Sequence, residues 1–279
     1  MKNIATIGID LAKNIFQIHG TDSKGKTVLV KRMKRANVLN FFANMKPCVI
    51  GMEACGGSHH WARELKKLGH QPKQMPPQYV KPYVKTNKND RNDAEAICEA
   101  VTRPNMHFVP MKTIEQQDIQ AVHRCRERQV KNRTALSNQA RALLLEIGIA
   151  VPKGFRYLRT MLPELVGDNE SGLTPRLREL IADMYSEFVD IEARIKNYNK
   201  ELEKMSQESE ACRRLRQMPG FGPLSATAFV ASIGDPHTFK NGRQVAAWLG
   251  LVPRQHSSGN NQRLGRISKR GNTYLRTLL

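Results

Sequence analysis

The sequence predicts three successive regions: an α/β domain with a sheet of mixed strand direction, a long helical middle with a coiled coil, and a small, mainly helical C-terminal domain. The α/β domain follows from short apolar runs that alternate with helical patterns over the first hundred residues. The helical middle follows from a stretch without Gly or Pro at 113–146 and a heptad repeat after it. A Gly- and Pro-rich turn before a helical pattern at 224–233 indicates the last region. We place the boundaries at 1–112, 113–210 and 211–279.

The composition points to a polyanionic partner. The chain has 279 residues, with 45 Lys and Arg against 25 Asp and Glu, a formal charge of +20. Hydrophobic residues make up 40%, enough for a packed core, yet no apolar run approaches the ~18 residues of a membrane span. The N-terminus lacks the apolar stretch of a signal peptide, and the five cysteines show no Cys-x-x-Cys spacing. We therefore expect a cytoplasmic protein with reduced thiols.

The first region is expected to begin with a three-strand meander. The run at 4–10 is apolar and ends in a carboxylate, and turn-forming residues at 22–25 separate the next two β-prone runs. Later apolar runs alternate with helical patterns, which is typical of an α/β sheet of mixed direction. The expected strands are 4–10, 16–19, 27–30, 48–52 and 71–75, and the expected helices are 37–45 and 58–68.

Four acids are placed where they could hold metal. Asp10 ends the first strand, Glu53 ends a later one, and Asp90 and Asp93 lie three residues apart at the start of a helix. Carboxylates arranged in this way could hold two Mg²⁺ ions about 4 Å apart, as in phosphodiester displacement. The alternatives are a helix cap at Asp90 with Asp93 as its capping-box partner, and solvent-facing strand ends at Asp10 and Glu53. In a chain of charge +20 the joint pattern favours metal.

A basic helix is predicted within 113–146. A merely solvated helix face usually mixes charges of both signs, whereas segment 123–141 has six basic residues and one acid. We therefore favour a phosphate-contacting face. The basic residues are Arg124, Arg126, Arg128, Lys131, Arg133 and Arg141.

A heptad pattern covers 173–205. Apolar residues recur there in steps of three and four, close to the coiled-coil average of 3.5. The pattern predicts a coiled coil that is either a hairpin with the 113–146 helix or a contact between chains, and we predict that it contributes to dimerisation. Its apolar positions are Leu173, Leu177, Leu180, Met184, Phe188, Ile191, Ile195, Tyr198, Leu202 and Met205.

The C-terminal region combines a tight turn with a basic tail. Met218–Pro223 places glycines at the start of a helix, where free N–H groups can hold a phosphate as in helix-hairpin-helix DNA-binding units, although Gly and Pro also simply cap helices. From Arg254 to Leu279 there are six Lys and Arg and no Asp or Glu. The stretch HSSGNNQRLG predicts a basic loop, followed by a short terminal helix.

Several motifs, in their order along nearly the whole chain, resemble those of the DEDD-type transposases of bacterial insertion sequences, a family that includes the pilin-gene invertase. The motifs are GIDLAK at 8–13, GMEA at 51–54, KNDRNDA at 88–94, LGLVP at 249–253, SSG at 257–259 and LGRISKRG at 264–271.

The resemblance implies an RNase H-fold (RuvC-like) N-terminal domain, a coiled-coil middle and a C-terminal transposase domain with a nucleophilic serine. It implies Mg²⁺, with Mn²⁺ as a substitute, as the cofactor. A structured guide RNA would bridge donor and target DNA, and homo-oligomers, dimers or tetramers, would pair the acids of one subunit with the serine of another. The residues that map to these roles are Asp10, Glu53, Asp90 and Asp93 for the acid tetrad, and Ser257, or its neighbour Ser258, for the nucleophile.

A serine nucleophile needs a metal or a base to help shed its proton and cations to hold the charge on the phosphorane. Basic residues near Ser257 are candidates to hold the charge on the phosphorane. The basic residues of the helix are candidates for nucleic-acid binding. The predicted contacts are Arg254, Arg263, Arg266, Lys269 and Arg270 in the tail, and Arg124, Arg128 and Lys131 in the helix.

Two other functions stay open at this point. One is a metal-dependent, junction resolvase-like nuclease that uses the four acids and water, with Ser257 as a bystander. The other is a non-catalytic nucleic-acid-binding protein that is a truncated copy. The second arises because Tyr274–Leu279 ends within an amphipathic helical pattern, whereas members of the resembled family usually continue for several further turns.

Overall fold

The computed structural model describes residues 3–85, 89–259 and 261–279. The chain folds into two compact units, Met1–Thr113 and Ile114–Leu279. The further division of the second unit at 210/211 stays a prediction.

A five-stranded mixed sheet forms the centre of the first unit. Its strands are β1 (Thr6–Asp10), β2 (Ile15–Thr21), β3 (Thr27–Lys34), β4 (Val49–Glu53) and β5 (Gln71–Met75). They lie in the order β3-β2-β1-β4-β5, with β1, β2 and β3 pairing antiparallel and β1, β4 and β5 pairing parallel. The predicted meander and mixed strand direction are confirmed.

Helices cover both faces of this sheet. They are α1 (Val38–Ala43), α2 (Ser58–Lys67), α3 (Pro77–Val80) and α4 (Asp90–Ala100). On one face the β-branched side chains of the strands pack in a buried core with Phe16, Phe42 and Trp61. On the other face α4 lies against β1 and β4, and its apolar side packs with Met75 and Val80.

Two glycines allow α4 to approach the sheet closely. A Cβ atom on Gly8 would lie 2.2 Å from the Ala94 carbonyl oxygen and 2.4 Å from the Cys98 nitrogen. A Cβ atom on Gly51 would lie 2.8 Å from the Val101 side chain. Because backbone cannot yield as a flexible side chain does, only glycine at position 8 permits this packing. The glycine therefore fixes how near the first turn of α4 comes to the end of β1.

We expect Gly8→Ala to lower the stability of the first unit by about 3 kcal/mol, since the added methyl group forces α4 away from β1. Gly56→Ala is the matched control, because a Cβ atom at Gly56 meets nothing within 4 Å. Thermal unfolding followed by circular dichroism measures both. Equal midpoints for the two variants would contradict the close packing.

The second unit is mainly helical. Its helices are α5 (Ile114–Leu145), α6 (Phe155–Gly167), α7 (Pro175–Glu208), α8 (Glu210–Arg216), α9 (Pro223–Ile233), α10 (Gly242–Leu249) and α11 (Thr273–Leu278). The predicted long helix at 113–146 corresponds to α5. Within the described ranges, no helix has both the length and the apolar character needed to cross a membrane.

The prediction of a loop at HSSGNNQRLG is partly wrong, because this segment lies in a two-stranded antiparallel hairpin. The hairpin pairs β6 (Pro253–Gln255) with β7 (Leu264–Ile267). Every residue of both strands is exposed. Such strands lack the alternation of apolar and polar residues by which a half-buried strand is identified in a sequence. The short terminal helix predicted after the loop corresponds to α11.

The heptad seam of α7 is buried within its own chain. Phe188, Ile191 and Ile195 join one core cluster with Leu136 of α5 and Leu158 of α6. These contacts agree with the intramolecular hairpin, because other helices of the same chain cover the apolar positions of α7. A contact between chains stays a prediction, and it needs a surface other than these buried side chains.

The seam also departs from the predicted register in its first turns. Ile181 is fully buried there, whereas the predicted position Leu180 is 49% exposed. A straight helix has 3.6 residues per turn, so its buried stripe drifts relative to a strict repeat of 3.5. The drift explains why a neighbouring residue takes the buried position.

A buried histidine connects three helices of the second unit. Nδ1 of His123, in α5, lies 2.8 Å from the Tyr274 hydroxyl of α11. Nε2 of the same ring lies 2.9 Å from Thr227 Oγ1 of α9. The Thr227 hydroxyl donates to the Pro223 carbonyl, so it accepts from Nε2–H, and Tyr274 donates to Nδ1. Burial, helped by the nearby Arg126 charge, lowers the pKa of His123 to about 4. The side chain is therefore neutral at pH 7.

This histidine predicts a loss of stability in acid. Because the folded pKa lies below the ordinary value near 6.5, the unfolded chain binds the proton first, and stability falls as the pH drops from about 6.5 through about 4. The loss amounts to about 3 kcal/mol. His123→Gln removes this part of the pH dependence, while His237→Gln, at an exposed histidine, retains it. Denaturant unfolding between pH 4 and 7 measures both, and equal slopes would contradict the role of His123.

Candidate active site and nucleic-acid surfaces

Asp10 and Glu53 end neighbouring parallel strands. Ile9 is paired with Met52, so the two acids occupy the next positions along β1 and β4, where strands lie about 4.8 Å apart. Side chains alternate between the faces of a sheet, and Gly8 faces α4, so Asp10, two residues on, faces α4 as well. Gly51 also faces α4, so Glu53, two residues after it on β4, faces α4 too. Both acids are half-buried on one face of the sheet.

The thiol of Cys55 lies within electrostatic reach of both acids. Burial raises the pKa of Cys55, and the carboxylates of Glu53 and Asp10 raise it further. Both charges therefore lie within electrostatic reach of one sulfur atom. Cys55 belongs to none of the motifs recognised in the sequence, although its position two residues after Glu53 was a visible signal.

The start of α4 lies near the end of β1. Ala94 contacts Gly8, and Asp93, the residue before it, is half-buried, whereas Asp90 in the same turn is exposed. The capping alternative for Asp90 is wrong, because Asn89 caps the helix by accepting a hydrogen bond of 2.9 Å from the Asn92 nitrogen. The cap lies one residue earlier than expected, since both Asn and Asp are good N-cap residues. The carboxylate of Asp90 is therefore not used as the cap.

The donor chemistry of these acids suits a hard cation, since carboxylate oxygens are the ligands that Mg²⁺ and Mn²⁺ prefer. In the parts of the chain that the structure describes, no three or more His, Cys, Asp or Glu side chains are grouped closely enough to hold a metal ion. What the structure places together is the pair of strand ends that carries Asp10 and Glu53. The tetrad itself stays a prediction.

A polar network within the first unit ties Lys112 to the start of α2 and to β5. His59 Nδ1 accepts hydrogen bonds from Gln74 Nε2 at 3.2 Å and from the Lys112 nitrogen at 3.3 Å, and Ser58 donates to Gln74 at 2.7 Å. Burial lowers the pKa of His59 to about 4, with the charges of Lys112 and Arg63 adding to the effect. His59 is therefore a neutral positioning residue and a poor general base at pH 7.

The predicted serine lies in the turn between β6 and β7. The Ser257 side chain is exposed, and its Oγ accepts a hydrogen bond of 3.0 Å from Gln255 Nε2. The backbone of Ser258 instead pairs with Asn261 across the turn. A hydrogen bond donated to Oγ stabilises an alkoxide more than a hydroxyl. Gln255, which the sequence analysis missed, is thus a second side chain of this site.

The basic residues predicted around the serine share one environment. Each is exposed on the β6–β7 hairpin or directly after it, and the hairpin is closed by a 2.9 Å hydrogen bond from the His256 nitrogen to the Arg263 carbonyl. These residues are Arg254, Arg263, Arg266, Lys269 and Arg270.

The turn between α8 and α9 contains a glycine in a left-handed conformation. Gly220 adopts φ +90, a left-handed conformation that favours glycine, and Gly222 precedes the first residue of α9. Phe221 packs edge-on against Phe229 of α9. Phosphate binding at this turn stays a prediction.

The basic helix divides into structural and exposed arginines. Arg133 pairs with Glu192 at 2.8 Å and stacks over Phe155, and Arg141 donates to the carbonyls of Pro152 and Gly154. Arg126 donates to Asn199. These three arginines, which are not among the predicted nucleic-acid contacts, make contacts within the chain. The remaining three are exposed and lie along one stripe of α5 at spacings of four and three: Arg124, Arg128 and Lys131. Lys131 also pairs with Glu127 at 2.7 Å, one turn earlier on the same helix.

We expect this stripe to contribute strongly to the salt dependence of duplex DNA binding. Replacing Arg124, Arg128 and Lys131 with Ala removes three charges, so the slope of log K against log salt should become shallower by about 2.7. A matched triple variant at exposed positions of α7, Arg176, Lys196 and Lys200, should change it by less than one. Fluorescence anisotropy at several salt concentrations measures both. Equal changes would show diffuse attraction without a localised footprint.

Comparison with known proteins identifies two transposase family regions in the chain. Residues 7–149 match the DEDD transposase family of IS110, and residues 212–279 match the transposase IS116/IS110/IS902 family. The chain is 49% identical over 278 residues to a probable family 20 transposase of Pseudomonas aeruginosa, covering 99% of this chain and 82% of that protein.

Two other transposases are similar over the full chain. The transposase for insertion sequence element IS1111A of Coxiella burnetii is 46% identical over 279 residues, covering 100% of this chain and 77% of that protein. The transposase for insertion sequence element IS1328 of Yersinia enterocolitica is 41% identical over 281 residues, covering 100% of this chain and 83% of that protein.

Proposed function

Because the chain belongs to the IS110/IS116/IS902 family of insertion-sequence transposases, we propose that it cleaves and rejoins DNA with a Mg²⁺-binding acid tetrad and a serine nucleophile. The tetrad consists of Asp10, Glu53, Asp90 and Asp93, and the nucleophile is Ser257. The observation that carries the proposal is the placement of Asp10 and Glu53 at the ends of two neighbouring parallel strands, on the face that carries α4.

The serine chemistry is a transesterification. Oγ of Ser257 forms a bond to phosphorus, the bond from phosphorus to a DNA oxygen breaks, and the serine proton ends on the departing DNA hydroxyl. Gln255 donates to Oγ and stabilises its developing negative charge, and neighbouring basic residues such as Arg254 and Arg263 stabilise the charge on the phosphorane. Because one phosphoester replaces another, the covalent adduct retains the energy needed for rejoining.

The acid tetrad would hold the metal. Bound Mg²⁺ polarises the phosphate and helps a hydroxyl lose its proton. Asp10 and Glu53 would hold it from the sheet, and Asp93 and Asp90 would hold it from α4. Mn²⁺ has similar oxygen-ligand preferences and should substitute for it.

The partners are donor and target DNA and a structured guide RNA, bound by a homo-oligomer. The charge of +20 and the exposed stripes of α5 and the tail supply binding sites for these polyanions. Asp10 and Ser257 belong to different units of the chain, which suits a composite site with acids from one subunit and the serine from another.

The test is a suicide DNA substrate analysed on a denaturing gel, with RNA that co-purifies with the protein supplied as the guide. We expect a metal-dependent protein–DNA adduct, and sequencing of the co-purified RNA should return one structured species. Metal-dependent hydrolysis without an adduct would favour the nuclease alternative. Binding without either reaction would favour the non-catalytic alternative.

A further inference from the structure

A row of polar side chains continues from the acid pair across the sheet. Asp10 is paired with Gln17 of β2, and Gln17 is paired with Arg32 of β3. Paired residues of neighbouring strands point to the same face, so all three face the side that carries α4. With strands about 4.8 Å apart, the Arg32 backbone lies about 10 Å from that of Asp10. The row thus leads from the acids to the edge strand β3.

Exposure is greatest at the β3 end of this row. His19, two residues after Gln17 on β2, is only 5% exposed, whereas Gln17 is half-buried and Arg32 is exposed. In the opposite direction, towards β5, Met75 and Val80 are fully buried in an apolar cluster. An extended ligand that leaves the acid pair therefore has room on the side of β2 and β3.

The first turn of α4 adds a second cation beside this row. Cys98 Sγ lies 3.7 Å from Thr21 Oγ1 of β2, so the side of α4 that carries Cys98 lies over β2. Arg91 lies seven residues before Cys98, two helical turns, and so on the same side of the helix. It is exposed, and its charge and that of Glu95 both act on the pKa of His19 on β2. Arg91 therefore lies on the side of α4 that covers β2, the middle strand of the row.

We propose that Gln17, Arg32 and Arg91 form a track for the sugar–phosphate backbone of the DNA strand that is cleaved, an inference that rests on the proposed function. The two guanidinium groups can each bind a phosphate in bidentate fashion, and the Gln17 amide can donate to a phosphate oxygen. The ligand is the DNA strand rather than the guide RNA because the row begins at the acids, whose substrate is the scissile phosphate. The phosphates held by Arg32 lie within a few nucleotides of that bond.

The experiment captures DNA at the site through Cys55, which is exposed beside Asp10 and Glu53. A Cys125→Ser background removes the other thiol that is not buried. The probe is a 12-nucleotide single strand of mixed sequence that carries a disulfide-activated linker, and a small uncharged disulfide reagent corrects for any change in thiol reactivity. We expect the Arg32→Ala, Arg91→Ala double variant to capture the probe about ten times more slowly at 0.1 M salt, with a salt slope shallower by about 1.4.

Lys31→Ala is the matched control. Lys31 is an exposed cation next to Arg32 but on the opposite face, where it lies 4.8 Å from the Phe41 ring, so its removal should leave capture unchanged. Equal capture by the double variant and its parent would overturn the track. A loss seen only with an RNA probe of the same sequence would overturn its assignment to DNA.

Capture requires no strand cleavage, so the two proposals fail separately. If capture depends on Arg32 and Arg91 but the unmodified chain forms no adduct and no nick, the track stands and the proposed serine chemistry fails. If the adduct forms but capture is independent of both arginines, the chemistry stands and the track is wrong.

Discussion

Ser257→Ala is expected to abolish the covalent protein–DNA adduct, with a loss of three orders of magnitude or more, since no other group replaces a removed nucleophile. Metal binding and RNA binding should be unchanged, because the substitution removes one exposed hydroxyl and no charge. The measurement is adduct formation on a suicide DNA substrate with guide RNA, resolved on a denaturing gel.

Ser258→Ala is the matched control for this prediction. Ser258 is equally exposed, but it pairs with Asn261 through its backbone, so removal of its hydroxyl should leave both the hairpin and the adduct intact. Wild-type adduct levels from Ser257→Ala would move the role to Ser258. Loss only in the double variant would mean that either serine attacks.

The sheet was predictable from the sequence because its strands carry their own signal. The runs at Ile4–Asp10 and Cys48–Met52 are apolar and are bounded by turn residues, and buried strands have this pattern. The positions of Asp10 and Glu53 at strand ends followed directly from these runs. Their proximity depended on which strands are neighbours, and an order in which β1 lies between β2 and β4 is a property of the tertiary fold.

Residues whose role depends on how two strands align could not be predicted from the sequence in the same way. Gln17 has no motif and no charge, and its place opposite Asp10 depends on how β1 and β2 align. A shift of that register by one residue would turn Gln17 away from Asp10 and α4. The β6–β7 hairpin was missed for a related reason, since its exposed strands show no apolar alternation.

Charge counts predicted the polyanionic partner but not the role of each arginine. Arg124 and Arg133 look alike in the sequence, yet Arg133 is held by Glu192 and Phe155, and Arg124 is exposed. The difference arises because α7 and α6 cover one side of α5. Only the packing of the helices decides which cations are left for phosphate.

Asp10→Asn is expected to abolish the adduct by a different route from the serine change. The amide removes one negative charge from the metal site and weakens Mg²⁺ binding, which should cost several kcal/mol of transition-state stabilisation, about 10²-fold to 10⁴-fold in rate. Isothermal titration with Mn²⁺ measures the binding loss separately from activity. Asp22→Asn is the control and should retain both properties: Asp22 is a half-buried acid in the turn between β2 and β3, and an amide oxygen can accept the same hydrogen bonds from the Lys24 and Lys26 nitrogens.

Mixing the two defective proteins gives the sharper test of Asp10. If acids and serine come from different subunits, a hybrid oligomer of Asp10→Asn and Ser257→Ala chains contains some sites with an intact acid cluster and an intact serine. Adduct should then reappear, carried only by the chain that retains Ser257, which a size tag on one chain identifies. Adduct that stays absent from a mixture shown to contain hybrids would mean that both groups must come from one chain. Hydrolytic nicking that survives loss of both serines but not Asp10→Asn would instead assign the reaction to water activated at the acid site.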